Sequence, residues 1–163
     1  MKSRSRLLSS ILGLALVAAS AAEPDSCRRA PADESAYAGL EAEVVRRVNE
    51  YREKEGLSKL RLDRRLVEQA RRHSASMAAG DTEFGHDRFR DRVEATEIRF
   101  AAAAENVGQN QGFSKPATQA VANWIKSDGH RKNIVGDFDL TGVGVARSPG
   151  GVYFFTQIFI LQK

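Results

Sequence analysis

Two of the three histidines in this 163-residue chain directly follow a glycine, in the pairs Gly85-His86 and Gly129-His130. A carboxylate with a neighbouring amide, Glu105-Asn106, lies between these pairs in the sequence. Imidazole titrates near neutral pH and is the commonest metal-ligating side chain, so two such histidines and a carboxylate could build a hydrated polar site. Whether these side chains meet depends on the helices, strands and loops that carry them.

The spacing of these residues is by itself a weak signal. His86, Glu105 and His130 are far apart along the chain, so no local metal motif such as HExxH joins them. Each histidine could simply cap a helix or bond a loop. Glycine beside each imidazole permits unusual backbone angles, and we expect all three residues at junctions between loops and regular elements, where sites tend to be built.

The first 22 residues are typical of a secretory signal peptide. Basic residues at Lys2, Arg4 and Arg6 precede an apolar run that ends in small residues. The run is short for a membrane-spanning helix and no later segment is apolar enough. We therefore expect a protein that does not span the membrane and is secreted, or held in the periplasm or cell envelope.

Residues 23–37 are predicted to form a flexible N-terminal tether and residues 38–163 a single domain. Cys27 is the only cysteine, so no disulfide can form within the chain. The residues before it, Pro24-Asp25-Ser26, do not match a bacterial lipoprotein signal, and lipid attachment at Cys27 is not expected.

The charge balance argues against a nucleic-acid partner. Residues 1–22 carry three of the 25 basic side chains and no acidic one, which leaves 22 basic against 21 acidic side chains. Arginine pairs such as Arg64-Arg65 and Arg71-Arg72 lie among acidic neighbours. They indicate solvated helix faces, with no basic stripe that would favour nucleic acid.

Apolar periodicity predicts several helices. They cover residues 39–54, a second segment from an N-cap at Asp63 to Gly80, a short helix in FRDRVEAT, Ser114 to Lys126 with a break at Gly129, and one further turn from His130 to Ile134. His73 falls on the inner face of the second helix, where a packing role is favoured over ligation. The region from Asp81 to Gln111 is otherwise irregular, as loops that carry site residues often are.

The C-terminal segments Leu140–Ala146 and Val152–Leu161 are rich in β-forming residues and are joined by a turn, so they predict a hairpin. The last strand is apolar on both faces and must be covered on both sides. The sequence therefore predicts an α+β fold, a three-layer α-β-α sandwich.

The collinear motifs VNEYREKEGL, LDRRLVEQARRHSASMA, FGHD, AENVG, AVANWIKSDGHRKNI, LTGVGVA and YFFTQIFI resemble the bacterial branch of the CAP superfamily, also called SCP-like. The resemblance covers about residues 40 to 163. It implies that the sandwich has a central antiparallel sheet and an open cleft lined by two histidines and two glutamates. His86, Glu105 and His130 match three of these positions, whereas Ser127 stands where the second glutamate would be.

The resemblance implies a cleft lined by His86, Glu105 and His130. The polar side chains of Asn106, Asn133 and Gln157 are further candidates for this cleft. His86 and His130 could bind zinc or another divalent cation, with Glu105 as a third ligand or, as the favoured alternative, holding a water or orienting a histidine. The missing carboxylate slightly favours a hydrogen-bonded cleft that takes up metal only when metal is abundant.

Structural roles are favoured over ligand binding for the polar residues around the histidines. Asn106 and Asn133 are expected to satisfy loop backbone groups, and Gln157 either faces the cleft or is buried and bonded to backbone. Trp124 is expected in the core. Ser127 is expected to be a helix-end hydroxyl, because no GxSxG-like motif surrounds it.

Three functions remain open. The leading hypothesis is an exported binding or interaction module whose cleft holds a small lipid-like, peptide or cell-envelope ligand. The second is a metal-dependent hydrolase or a protease, with His86, Glu105 and His130 as candidate catalytic residues. The third is a structural envelope protein. The sequence favours a non-enzymatic role because it offers no persuasive nucleophile.

Overall fold

The computed structural model describes residues 32–163, so the predicted signal peptide, Cys27 and most of the predicted tether lie outside the described residues. The elements are α1 Ala32–Lys54, β1 Arg61–Leu62, α2 Arg64–Ala79, α3 Phe89–Glu94, β2 Phe100–Asn110, α4 Pro116–Lys126, α5 Asp128–Ile134, β3 Leu140–Arg147 and β4 Tyr153–Gln162. The predicted α+β class is confirmed. Helix α1 begins earlier than the expected residue 39, so residues 32–37, which were assigned to the tether, are helical.

The four strands form one sheet in the order β1, β3, β4, β2. Strand β4 pairs antiparallel with both β3 and β2, which confirms the predicted C-terminal hairpin. Strand β1 adds a two-residue parallel pair at the outer edge of β3. The sheet is thus antiparallel apart from this short edge strand, and β2 forms its other edge.

Strand β2 lies in the region that was expected to be irregular, and this expectation was wrong. Its sequence, FAAAAENVGQN, combines a run of alanine with polar residues and a glycine, all of which have low strand propensity. The strand forms because its backbone pairs with β4 along nearly its whole length, with a bulge between Phe100 and Ala102. Tertiary pairing therefore overrides the local preference of these residues.

The apolar side chains of β4 point alternately to the two faces of the sheet, as predicted. Phe155 and Phe159 pack in a core with residues of α1, α4 and α5. Ile158 and Ile160 pack on the opposite face with residues of α2 and α3. All four side chains are fully buried, and the two cores together confirm the three-layer sandwich.

Helix α2 lies very close to the sheet because two glycines of β3 face it. A Cβ atom on Gly142 would overlap the backbone of Leu66 and Val67, and one on Gly144 would overlap the backbone of Ala70 and Arg71. Asp63 caps the start of this helix through a bond from the Arg65 backbone amide, as the sequence predicts. The close approach fixes the position of His73, which α2 carries on its buried face.

The junction of α4 and α5 differs from the predicted break at Gly129. The break is at Ser127, whose backbone is extended, and Gly129 lies inside the first turn of α5. Asp128 therefore starts a separate short helix that contains His130. Because the chain changes direction at Ser127, the imidazole of His130 can turn back toward the Ser127 hydroxyl.

A buried arginine of α1 fixes the far end of α5. The Arg52 guanidinium donates to the carbonyl oxygens of Ile134 at 2.8 Å, Gly136 at 2.9 Å and Phe138 at 3.1 Å. Its Nε donates to the Ser58 carbonyl at 2.8 Å. These bonds satisfy backbone acceptors in the segment that follows α5 and so hold the helix that carries His130.

We expect Gly144→Ala to lower the free energy of unfolding by about 3 kcal/mol or more, because the new methyl group meets backbone atoms that cannot move aside. Gly39→Ala is the matched control: Gly39 lies in α1 with open space around its Cβ position, and alanine there should stabilise the helix slightly. Urea unfolding of both variants checks this. Equal stability of the two variants would contradict the close α2 packing.

Candidate functional site

The predicted site residues come from three different elements. His86 lies in the loop between α2 and α3, Glu105 in the middle of β2, and His130 inside α5. Only His86 therefore lies in a loop, and the expectation that all three occupy loop junctions was wrong for the other two. The imidazole Nδ1 of His86 lies 2.9 Å from Oε1 of Glu105.

Glu105 is a deeply buried carboxylate, whereas its histidine partner reaches solvent. The Glu105 side chain is 1% exposed and the His86 side chain is 52% exposed. Since a carboxylate only accepts hydrogen bonds, Nδ1 of His86 is the donor, and Nε2 of His86 is left as the free ring nitrogen. Glu105 thus orients His86, which is one of the roles expected for it.

Arg92 is the main partner of Glu105, and sequence reasoning missed it. Its Nη2 lies 2.8 Å from Oε1 and 2.9 Å from Oε2 of Glu105, and its Nε lies 3.1 Å from Oε2. The Arg92 side chain is only 10% exposed. A signal was present: Arg92 lies three residues after Phe89 and beside Val93, on the apolar face of α3, where an arginine needs a buried partner.

His73 of α2 holds the loop that carries His86 in place. Its Nε2 donates to the carbonyl oxygen of Gly85 at 2.9 Å, and the side chain is buried. Burial is the largest cause that lowers the pKa of His73, and the nearby Arg92 guanidinium lowers it further. His73 has the structural role that the sequence favoured.

His130 has a hydroxyl partner. Its Nδ1 lies 2.9 Å from Oγ of Ser127. By the resemblance described above, Ser127 stands where the family has its second glutamate. Burial lowers the pKa of the His130 imidazole, and the positive form of His86 lowers it further. Ser127 therefore orients His130 as a helix-end hydroxyl, without the negative charge that a glutamate would add.

The two asparagines tie α5 to β2. Asn106 is fully buried and donates to the His130 carbonyl at 3.1 Å. Asn133 donates to Oδ1 of Asn106 at 2.9 Å and to the Glu105 carbonyl at 3.2 Å. Both thus serve the backbone, as the sequence favoured, and Asn106 does not line a cleft.

Gln157 is also buried. Its Nε2 donates to Oγ1 of Thr141 at 3.1 Å, while its Oε1 accepts no hydrogen bond within the described part of the chain. It does not face the cleft, and its partner is a side chain where backbone was expected. Trp124 is in the core as predicted, with Nε1 donating to the Val107 carbonyl at 3.0 Å.

An open groove runs along the outer edge of β2, beside His130. It has a volume of about 370 Å³ and is lined mainly by apolar surface. The residues around it are Phe84, Val107, Gly108, Gln109, Ala120, Asn123, Trp124, Ser127 and His130. Its volume lies within the range of small-ligand sites. Phe84, which is 47% exposed, forms part of its wall and belongs to the same loop as His86.

The residues do not fit a metal site with three protein ligands. Arg92 contacts both carboxylate oxygens of Glu105, which therefore has no free side for a cation. Within the described residues, no group of three or more His, Cys, Asp or Glu side chains is placed to hold a metal ion. Only the two imidazoles are left as potential ligands, and structural and catalytic zinc sites use at least three protein ligands.

A family model described as the cysteine-rich secretory protein family, CAP, matches residues 45–159. The chain belongs to the CAP family. The resemblance drawn from the motifs is thereby confirmed. No helix among residues 32–163 of this CAP protein is both long enough and apolar enough to cross a membrane.

Two Bacillus subtilis (strain 168) proteins are similar to this CAP chain. The uncharacterized protein YkwD is 34% identical over 148 residues, which cover 87% of this chain and 54% of YkwD. The uncharacterized membrane protein YlbC is 35% identical over 126 residues, which cover 74% of this chain and 34% of YlbC. The CAP chain therefore spans about half or less of the length of these relatives.

Solved structures share the fold. An extracellular protein containing an SCP domain from Bacillus anthracis str. Ames has a TM-score of 0.70 at 27% identity, over 80% of this chain and 43% of that one. An outer surface protein from Borrelia burgdorferi has a TM-score of 0.67 at 18% identity, over 77% of this chain and 94% of that one. The second likeness concerns the fold alone.

We expect Glu105→Gln to lower the free energy of unfolding by about 3 to 5 kcal/mol, because it leaves the buried Arg92 without its carboxylate. Glu94→Gln is the control, since it breaks an exposed ion pair with Arg90 and should change stability little. Chemical unfolding of both variants at neutral pH is the measurement. A Glu105→Gln variant as stable as the control would show that the buried pair contributes little.

Proposed function

We propose that this CAP domain is an exported binding module whose groove holds a lipid-like, peptide or cell-envelope ligand. The groove of about 370 Å³ beside His130 carries the proposal. Its lining combines the exposed ring of Phe84 and the nearly buried Trp124 with the polar groups of Ser127 and His130. This combination fits a ligand that has an apolar part and a hydrogen-bonding group.

Export is supported by two independent observations. Residues 1–22 have the pattern of a secretory signal peptide. A similar solved structure belongs to a protein described as extracellular. We therefore place the proposed ligand outside the cytoplasm, at the cell envelope or beyond it.

The polar groups of the groove are positioned to bind rather than to react. Because Ser127 bonds Nδ1 of His130, the Nε2 atom of that imidazole is the ring nitrogen left to meet a ligand. Burial keeps the His130 imidazole largely neutral near neutral pH, so it can accept or donate one hydrogen bond without a charge. Such a group gives orientation to a ligand whose apolar part packs against the exposed ring of Phe84.

A hydrolase is the second candidate, and the pair of His86 and Glu105 favours it. A carboxylate that fixes the tautomer of an imidazole is the arrangement by which hydrolases orient a general base. The hydroxyl of Ser127 also lies within reach of Nδ1 of His130. However, this contact joins the two ends of one helical turn, and no GxSxG-like motif surrounds the serine.

We expect Phe84→Ser to weaken binding of the apolar anionic probe 1-anilinonaphthalene-8-sulfonate by about tenfold, because it removes an apolar wall of the groove. Phe113→Ser is the matched control: Phe113 is 49% exposed but does not line the groove. Fluorescence titration of protein lacking residues 1–22 is the measurement. Equal effects of both substitutions would mean that the probe binds exposed rings in general and would contradict the proposal.

The same protein separates the two candidate functions. The binding proposal expects no hydrolysis of ester or peptide substrates above the level of a variant carrying His86→Ala and His130→Ala. Turnover that this double substitution abolishes would establish the hydrolase instead.

A further inference from the structure

We propose that the Arg92 guanidinium occupies the Glu105 carboxylate and so keeps divalent metal ions from binding between His86 and Glu105. The proposal goes beyond the proposed function, because Arg92, Glu105 and His86 do not line the groove beside His130. It rests on the contacts of Arg92 and on the chemistry of the groups around it.

The first argument is that both oxygens of Glu105 are already taken. Arg92 makes three bonds of 2.8 to 3.1 Å to them, and His86 donates a fourth at 2.9 Å. A carboxylate has room for about four such bonds, so Glu105 is saturated. A metal ion could ligate it only by displacing the guanidinium.

The second argument is that displacing the Arg92 guanidinium from Glu105 is energetically unfavourable. The Arg92 side chain is nearly buried, and its Nη1 also donates to the Asp87 carbonyl. Displaced from Glu105, it would remain a buried charge without an anion, which is strongly unfavourable. It would also repel a divalent ion placed beside it.

The third argument is that the direct partners of the two histidines bring little negative charge. Ser127, a neutral hydroxyl, is the partner of His130, and Glu105, the carboxylate in contact with His86, is neutralised by Arg92. Two imidazoles without an available carboxylate are a poor set of ligands for a divalent cation. Arg92 thus provides the positive charge that a metal ion would otherwise bring to Glu105.

Removing the positive charge of Arg92 should expose a latent metal site. The side chain borders a cavity of about 350 Å³, so its truncation leaves space for water beside Glu105. In Arg92→Met, the Glu105 carboxylate keeps the bond from His86 and is no longer neutralised by the guanidinium. A divalent cation should then take the place of the guanidinium.

The test is zinc titration by calorimetry on protein lacking residues 1–22. We expect Arg92→Met to bind zinc at least about tenfold more tightly than the wild type, and zinc to raise its melting temperature more. Arg88→Met is the matched control, because Arg88 borders the same cavity and carries the same charge but pairs with the exposed Asp91. The control should bind zinc as the wild type does.

A second substitution tests whether Glu105 is responsible for the gain in zinc affinity. Adding Glu105→Gln to Arg92→Met should abolish the gain, because it removes the carboxylate that the metal would use. If Arg92→Met is unstable without metal, Arg92→Gln keeps a polar side chain without the charge and should show the same gain.

Three results would overturn the proposal: no gain of zinc affinity in either Arg92 variant, an equal gain in Arg88→Met, or failure of both Arg92 variants to fold even with excess zinc. The result of the zinc titration does not depend on whether the groove binds a ligand, because the titration measures zinc affinity. Loss of probe binding in Phe84→Ser would therefore still support the proposed function if the zinc experiment failed.

Discussion

Burial of the Glu105 carboxylate is the constraint around which the site is organised. A carboxylate in the protein interior is strongly unfavourable unless charged and hydrogen-bonding partners surround it. Here the partners come from different parts of the fold: Arg92 from α3 and His86 from the loop before it, while Asn133 of α5 bonds the Glu105 carbonyl. Satisfying one buried anion thus fixes the position of a helix, a loop and the edge strand together.

Asn106, the residue after Glu105, links β2 to the opposite helical layer of the sandwich. Successive side chains of a strand point to opposite faces, so Glu105 faces the layer of α3 and Asn106 faces the layer of α5. Asn106 bonds the backbone of His130, as Glu105 bonds the imidazole of His86. Because β2 is an edge strand, residues from both layers meet around it, and the groove forms there.

Much of the scaffold follows from local sequence signals. Asp63 and Gly80 mark the ends of α2, and the two apolar faces of β4 require a helical layer on each side. Strand β2 could not be predicted in this way, because its alanines carry no strand signal and pairing with β4 creates it. Arg92 was missed for a similar reason: its partner is 13 residues away, and only the fold brings the two charges together.

The central claim is that the Glu105 carboxylate, held by Arg92, fixes the imidazole of His86 with its proton on Nδ1. Long-range proton–nitrogen NMR spectra of the imidazole rings, recorded at neutral pH on protein lacking residues 1–22, test it most directly. The geometry predicts a His86 ring with a proton on Nδ1, unchanged when zinc is added at protein concentration. A His86 ring protonated on Nε2 alone, or metal-bound at stoichiometric zinc, would contradict it.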